Sequence, residues 1–224
     1  MTPSARTSVP TAAPRPVALT RATLAAAVRA LASADADLGR IVAQHGPPPL
    51  WARPGGFRTL ARIILEQQVS LASAATLFAR IDRELGGGWT PESVVRAGER
   101  GMRARGLTRQ KSAFVLALAE LSATDPRWFT RLTRVSDEEA RTALTSLHGI
   151  GPWTASIYLL MVLRRPDVWP TGDLALHKAI GRLPGGRATP TSAQAVRFAE
   201  RWAPHRSTAA RILWHGYLAD ARGR

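Results

Sequence analysis

Apolar residues recur at helical spacing along almost the whole chain after Leu19. Phe57, Leu60, Ala61, Ile64 and Leu65 share one face of one segment, and Ala140, Ala143, Leu144 and Leu147 share one face of another. This is the spacing of a helix that buries one side. The second segment opens with Ser136 and carries Glu139 three residues on, a reciprocal N-terminal cap. Gly86-Gly87-Gly88, Gly98, Gly101 and Pro184-Gly185-Gly186 punctuate the chain. No stretch alternates apolar and polar positions with β-branched residues, which argues against a sheet domain. The pattern predicts helices near 20–33, 35–45, 57–68, 70–85, 91–103, 108–123, 136–147, 152–164, 173–183 and, in one or two pieces, 191–222. The expectation is an all-α fold without internal repeats.

Composition narrows what such a fold can do. The 224 residues suit one large domain or two small lobes. Lys and Arg number 31 against 16 Asp and Glu, a formal charge of +15, and a field of that sign attracts polyanions, nucleic acid above all. High-GC coding also inflates arginine, and only Lys111 and Lys178 are lysines; that bias explains Arg over Lys better than it explains the scarcity of acids. With no cysteine, disulfides, iron–sulfur clusters and thiolate zinc sites are excluded. The five histidines, among them His148, His177 and His205, show no metal-ligand spacing. No apolar run reaches the roughly 18 residues of a membrane span. Residues 1–18 are rich in Pro, Ala, Ser and Thr, with Arg and no acid. A transit peptide has such a composition, but Pro10, Pro14 and Pro16 spoil an amphipathic helix, so the reading is a disordered tail ahead of one domain over 19–224.

The stretch from Leu144 to Leu183 carries the chemistry. After the capped helix come His148-Gly149-Ile150-Gly151, and Pro152 suits the first position of a new helix. Two glycines at this spacing allow a tight turn, and Ile150 between them can plug the gap between the helices. The amides of Gly149, Gly151, Trp153 and Thr154 would then face outward at the positive end of the second helix, where a phosphate oxygen can be held. The same geometry also serves as a plain connector. Downstream, Val168-Trp169-Pro170-Thr171-Gly172-Asp173-Leu174 leads through a loop into a helix at Asp173. Asp there is a good N-cap. The role is compatible with another one: an anion beside a DNA cleft is otherwise unwelcome, and a cationic transition state would justify it.

These residues resemble a known family. Leu147 to Ala155, followed by Asp167-Val168-Trp169-Pro170 and Asp173, closely resembles the hairpin-plus-Gly/Pro/Asp signature of helix-hairpin-helix DNA glycosylases. Trp153 and Thr154 after the hairpin look like the 3-methyladenine DNA glycosylase II variant, in a compact form without an N-terminal β domain. Ile63 to Ser70 resembles the family's Gln-Gln helix junction, and Gly106-Leu107-Thr108 with Lys111 its Gly-Leu-Ser/Thr…Lys segment. Trp202-Ala203-Pro204-His205-Arg206-Ser207 is similar to its C-terminal motif. Together these span about residues 55–220 in the family's order.

The resemblance implies a two-lobed helical fold with a DNA cleft between the lobes, and a monomer that hydrolyses the N-glycosidic bond of alkylated bases of the 3-methyladenine and 7-methylguanine type. It places the catalytic aspartate at Asp173 and the phosphate clamp at Gly149, Ile150, Gly151, Trp153 and Thr154. Backbone carbonyls of Leu147 and Gly149 become candidate ligands for a structural Na+ or K+; no other cofactor is expected. Trp153 stands where bifunctional members carry their Schiff-base lysine, which implies hydrolysis without strand nicking. Trp153, Trp169, Tyr158 and His205 are the candidate base pocket, with His205 in place of the family's aromatic residue. Gln68 and Val69 are the candidate wedge into the duplex. Core packing is the expectation for Trp51, Trp89, Trp128 and Trp214. An ordinary solvated helix end is the alternative for Gln67 and Gln68. For Arg100, Arg103, Arg105, Arg109 and Lys111 a solvated face is the default over a phosphate track. The partner implied is double-stranded DNA, with no membrane, in the cytoplasm at a bacterial nucleoid. A non-catalytic helix-hairpin-helix DNA-binding module and a bifunctional glycosylase/lyase stand as alternatives.

Overall fold

The structure, a computed structural model, describes residues 17–184 and 188–222. Among these residues it is all-helical. The tail read over 1–18 lies, as far as residue 16, outside the described residues, as do Gly185 and Gly186. Leu19 is buried and donates its amide to the Arg164 carbonyl.

One lobe holds α3 (Phe57–Glu66), α4 (Leu71–Glu84), α5 (Pro91–Ala104), α6 (Arg109–Thr124), the short α7 (Trp128–Leu132) and α8 (Asp137–Thr145). The other gathers α1 (Arg21–Ala34), α2 (Ala36–His45), α10 (Leu174–Gly181), α11 (Ser192–Ala199) and α12 (Arg206–Arg222). Here α1, α2 and α10 pack on α12. The N-terminal helices are tied down by Trp202, whose Nε1 donates to Asp35, the residue that also caps α2. Between the lobes runs α9 (Pro152–Ile157), continued as a π-helical turn over Tyr158–Val162.

Local signals explain most of these boundaries. The Ser136–Glu139 capping box forms with both bonds present, and Pro152 opens α9. Three departures have physical reasons. The segment near 91–103 is kinked at Gly98, whose φ of 61° only glycine adopts freely. The five-residue α7 is too short to show a period. The π turn frees carbonyls that the rest of the chain uses: Leu159 accepts from the Arg165 amide, Leu160 from Arg211 Nη2 and Met161 from the Arg53 amide. Arg211 is fully buried and also bonds the Leu50 and Ser207 carbonyls. Burial pulls its pKa down to about 10, which leaves it charged at neutral pH.

Candidate active site

A cleft of about 1700 Å³ opens between the lobes. One wall is the hairpin. Gly149 turns at φ 85°, and a Cβ there would fall 2.1 Å from the Phe114 ring; backbone conformation and packing both demand glycine. Gly151 is the N-cap of α9, and a Cβ there would meet nothing within 4 Å. The fold itself therefore gives no steric reason for glycine at 151, and the space in front of it lies open. The amides of Gly149, Gly151, Trp153 and Thr154 donate to no backbone carbonyl among the described residues; for the last three, the first turn of a helix requires it. Ile150 is buried between the helices.

Asp173 faces the same cleft. It is the N-cap of α10 and only 8% exposed. Its Oδ1 accepts from the Leu176 amide at 2.9 Å and from Trp214 Nε1 at 3.1 Å, whereas Oδ2 accepts from Trp153 Nε1 alone, at 2.9 Å. Among the described residues no Lys or Arg forms an ion pair with it. Its charge is thus held by dipoles rather than cancelled, and Oδ2 is the less occupied oxygen. Trp153 joins hairpin and carboxylate directly.

The loop that delivers Asp173 is clamped from behind. Arg206 pairs with Asp167 through Nε at 2.8 Å and Nη2 at 2.7 Å, a bidentate bond. Ser207 Oγ accepts from the Val168 amide and donates to the Arg165 carbonyl. Burial raises the Asp167 carboxyl's pKa, but its bonds to Arg206 outweigh that and hold it below the usual carboxylate range.

The opposite wall is the turn between α3 and α4. Gln67 Nε2 donates to the Gly149 carbonyl at 3.0 Å and to Thr154 Oγ1 at 2.9 Å. Lys111 Nζ donates to the Leu65 and Gln67 carbonyls, both at 2.8 Å, satisfying acceptors that the end of α3 leaves orphaned. Burial pushes the Lys111 pKa down. Gripped from both sides, the turn holds Gln68 at φ 58°. Gln68 and Val69 are exposed on the cleft.

A scan against protein-family models matches residues 61–205 to the HhH-GPD superfamily of base excision DNA repair proteins. The chain belongs to that superfamily. It is 30% identical over 191 residues to DNA-3-methyladenine glycosylase 1 of Schizosaccharomyces pombe, covering 82% of each chain. It is 34% identical over 185 residues to DNA-3-methyladenine glycosylase 2 of Escherichia coli, covering 73% of this chain and 61% of that one. It spans 64% of the length of a Bacillus subtilis relative. A solved S. pombe 3-methyladenine DNA glycosylase in complex with abasic DNA superposes with a TM-score of 0.75 at 27% identity, covering 84% of this chain and 95% of that one.

Within this superfamily fold, the cleft gathers Asp173, Leu147, Gly149, Ile150, Gly151, Trp153, Thr154, Gln68 and Val69. Three residues read as pocket do not belong to it. Trp169 is buried against Trp202 at 5.6 Å between ring centroids. Tyr158 is buried beside Phe129, and its hydroxyl accepts the Gly56 amide; burial pushes its pKa up to about 12. His205 sits at the head of α12, where its carbonyl takes the Thr208 and Ala209 amides, away from the cleft wall. The motif that contains it clamps the Asp173 loop instead of forming the pocket. The aromatic walls are Trp51, Trp153, Trp214 and Tyr217; Trp214 is at the same time part of the buried core, and Trp51 is half-buried against it. Trp214, Tyr217 and Leu218 share one face of α12, an i, i+3, i+4 signal that could have been read; Trp51 lies in an irregular strap and carries none.

Each carbonyl of the pair suggested for a cation already accepts one hydrogen bond and keeps a second lone pair. The Leu147 carbonyl accepts the Ile150 amide and the Gly149 carbonyl accepts Gln67. Lys111 is an internal brace and Arg105 bonds the Gly101 and Glu84 carbonyls, whereas Arg100, Arg103 and Arg109 are exposed.

Proposed function

We propose that the chain is a monofunctional DNA glycosylase that removes alkylated bases from duplex DNA, the first step of base excision repair, with Asp173 as its catalytic residue. The observation that carries this reading is the Trp153–Asp173 bond, which fixes an unneutralised carboxylate beside a row of free amides in one cleft. The named activities of the relatives support it.

The mechanism follows from the geometry. A glycosidic bond inside a duplex is out of reach, so the damaged nucleotide turns out into the cleft, and poorly stacked bases resist least. The amides of Gly149, Gly151, Trp153 and Thr154 hold a backbone phosphate at the helix mouth. Gly151 keeps that approach clear. Gln68 and Val69 occupy the gap left in the stack. A base methylated on a ring nitrogen is cationic, and the rings of Trp51, Trp153 and Trp214 offer it cation–π contact worth about 0.5–2 kcal/mol. The C1′–N bond breaks with its electron pair leaving on the base, which departs neutral. Positive charge spreads over C1′ and O4′ of the sugar, where Asp173 Oδ2 opposes it. Water adds its oxygen to C1′ and gives up a proton, which Asp173 can accept. No lysine lines the cleft, so the amine needed for an imine and strand nicking is missing.

The reading extends to the organisation of the chain: one glycosylase domain over 19–224 behind a short tail, acting at the nucleoid in the cytoplasm. No described helix is long and apolar enough to cross a membrane. The test is release of free methylated base from alkylated DNA. Asp173→Asn is expected to lower the rate by at least about 10² while DNA binding survives. An Asp173→Asn rate equal to the parent's removes Asp173 from the mechanism, and borohydride trapping of a covalent protein–DNA adduct refutes the monofunctional reading.

A further inference from the structure

The cleft contains a charged pair that hydrolysis at Asp173 does not use. Glu66 ends α3 with its side chain only 4% exposed, yet it lies on the cleft wall. Its Oε2 accepts from Arg53 Nη1 at 2.8 Å, and its Oε1 from Arg62 Nε at 3.3 Å. A carboxylate so withdrawn from water is costly unless paired, and an apolar substitute of equal volume often stabilises a fold as well or better. The pair therefore invites a reason beyond stability. Arg53 supplies one. Its side chain is 23% exposed and comes from the strap over residues 46–56, which is itself pinned: the Arg53 amide donates to the Met161 carbonyl, and Arg211 holds the Leu50 carbonyl. Only Nη1 of its guanidinium bonds a protein group among the described residues. Trp51, Ile157 and Met161 line the same cleft, and among the described residues no side-chain acceptor bonds the remaining N–H groups. Donors left in such surroundings gain most from an acceptor carried by a ligand.

Contacts place this pair in the same chamber as the carboxylate. Asp173 bonds Trp214, whose ring lies 6.5 Å from that of Trp51, two residues from Arg53. Asp173 also bonds Trp153, which shares a face of α9 and its π turn with Ile157 and Met161. From this arrangement we infer that Arg53, tethered by Glu66, is a specificity-determining residue that donates a hydrogen bond to the C6 carbonyl of an extruded purine. The pocket then favours 7-methylguanine over 3-methyladenine. A guanidinium is donor-only; guanine carries an acceptor oxygen at C6, whereas adenine carries an amino donor. Both lesions are cations methylated on a ring nitrogen, so their charge is alike; besides the methyl position and guanine's C2 amino group, the C6 group sets them apart, and it is the one whose hydrogen-bond sense a donor-only guanidinium reads. Glu66 acts here as a positioning residue, fixing the fork and offsetting its charge against a cationic base.

This inference rests on the alkylbase reading, and one assay separates the two. DNA treated with a methylating agent carries both lesions, and both free bases are quantified from the same digest. Because a partly unfolded variant loses both activities in proportion, the ratio of 7-methylguanine to 3-methyladenine released is insensitive to folding. Arg53→Met is expected to lower that ratio about tenfold, the value of one charge-assisted hydrogen bond at its lower end. Arg53→Lys, which keeps charge but loses the planar fork, is expected to fall between Arg53→Met and the parent, and Glu66→Gln to lower the ratio in the same direction. A ratio unchanged in Arg53→Met, with both rates falling together, overturns the assignment and leaves Arg53 as a strap anchor. Release of neither base by the unaltered chain overturns the alkylbase reading and the specificity assignment with it.

Discussion

The two walls of the cleft are built in opposite ways. The wall formed by α8, the hairpin, α9 and the Asp173 loop is nearly continuous in sequence, and its central bond joins residues 20 apart. The facing wall is assembled from the strap, the end of α3 and α12. Its bonds span far more chain: 82 residues from Gln67 to Gly149, 41 from Asp173 to Trp214 and 161 from Leu50 to Arg211. Grip and charge thus come from local motif chemistry, whereas the room for the base comes from tertiary closure. Changes in the first wall should act on binding and catalysis; changes in the second should act on which base is accepted.

The sharpest break lies inside the first wall, at its two glycines. Gly149→Ala forces a Cβ into the Phe114 ring at a residue with φ 85°, adding overpacking to backbone strain. About 2–4 kcal/mol of stability is expected to be lost, roughly 5–15 °C in melting temperature for a domain of this size. Gly151→Ala, with no neighbour to meet, should leave the melt in place and weaken DNA binding several-fold. Equal melts for the two variants would show that Phe114 yields easily and that the hairpin has slack.

This asymmetry also explains what was legible in the sequence. The capping box at Ser136, Pro152 at the head of α9 and the Asp173 N-cap are decisions made within four residues, and their side-chain types announce them. The same holds for both hairpin glycines, although only the structure separates the one the fold needs from the one it does not. Trp51 and Arg53 gave no local sign of lining the cleft, whereas Trp214 shared a helical face with Tyr217 and Leu218. Trp51 sits at φ 47° in a strap whose course is set by Arg211 and Met161, partners no neighbouring residue predicts. Trp169, close to Asp173 in sequence, was drawn into the pocket by proximity; it packs on Trp202 because the loop is pulled back by Arg206 and Ser207. The π turn has no propensity signature and is visible only through the long-range donors it serves.

A smaller effect tests whether the carboxylate depends on both walls. Trp153→Phe and Trp214→Phe each keep a ring but remove one N–H donor from Asp173. Loss of a hydrogen bond to a charged group is worth about 1.5–3 kcal/mol. Trp153→Phe is expected to lower kcat by about tenfold or more with little change in KM, because it loosens the less occupied Oδ2. Trp214→Phe should cost less, since the Leu176 amide still holds Oδ1. The reverse order in single-turnover rates would assign the reacting oxygen to Oδ1.

The smallest expected effect concerns the cleft mouth. Among the described residues six large apolar side chains are exposed, and four of them, Val69, Leu71, Leu174 and Leu218, edge this cleft. Leu174 is 71% exposed at the first turn of α10, directly after Asp173. Nothing in the fold uses its side chain there, so Leu174→Ser should move stability by no more than about 0.5 kcal/mol. Against DNA, however, a leucine at that place can cover a deoxyribose next to the extruded nucleotide and keep water from the carboxylate. Partial burial of one such side chain is worth about 1 kcal/mol, which predicts a three- to tenfold loss in kcat/KM at unchanged melting temperature. Leu71→Ser, on the facing wall, is the matched control. If Leu174 alone matters, the strand leans on the catalytic wall; if the two lose equally, both lobes grip it; and if neither loses activity, DNA does not enter by this mouth.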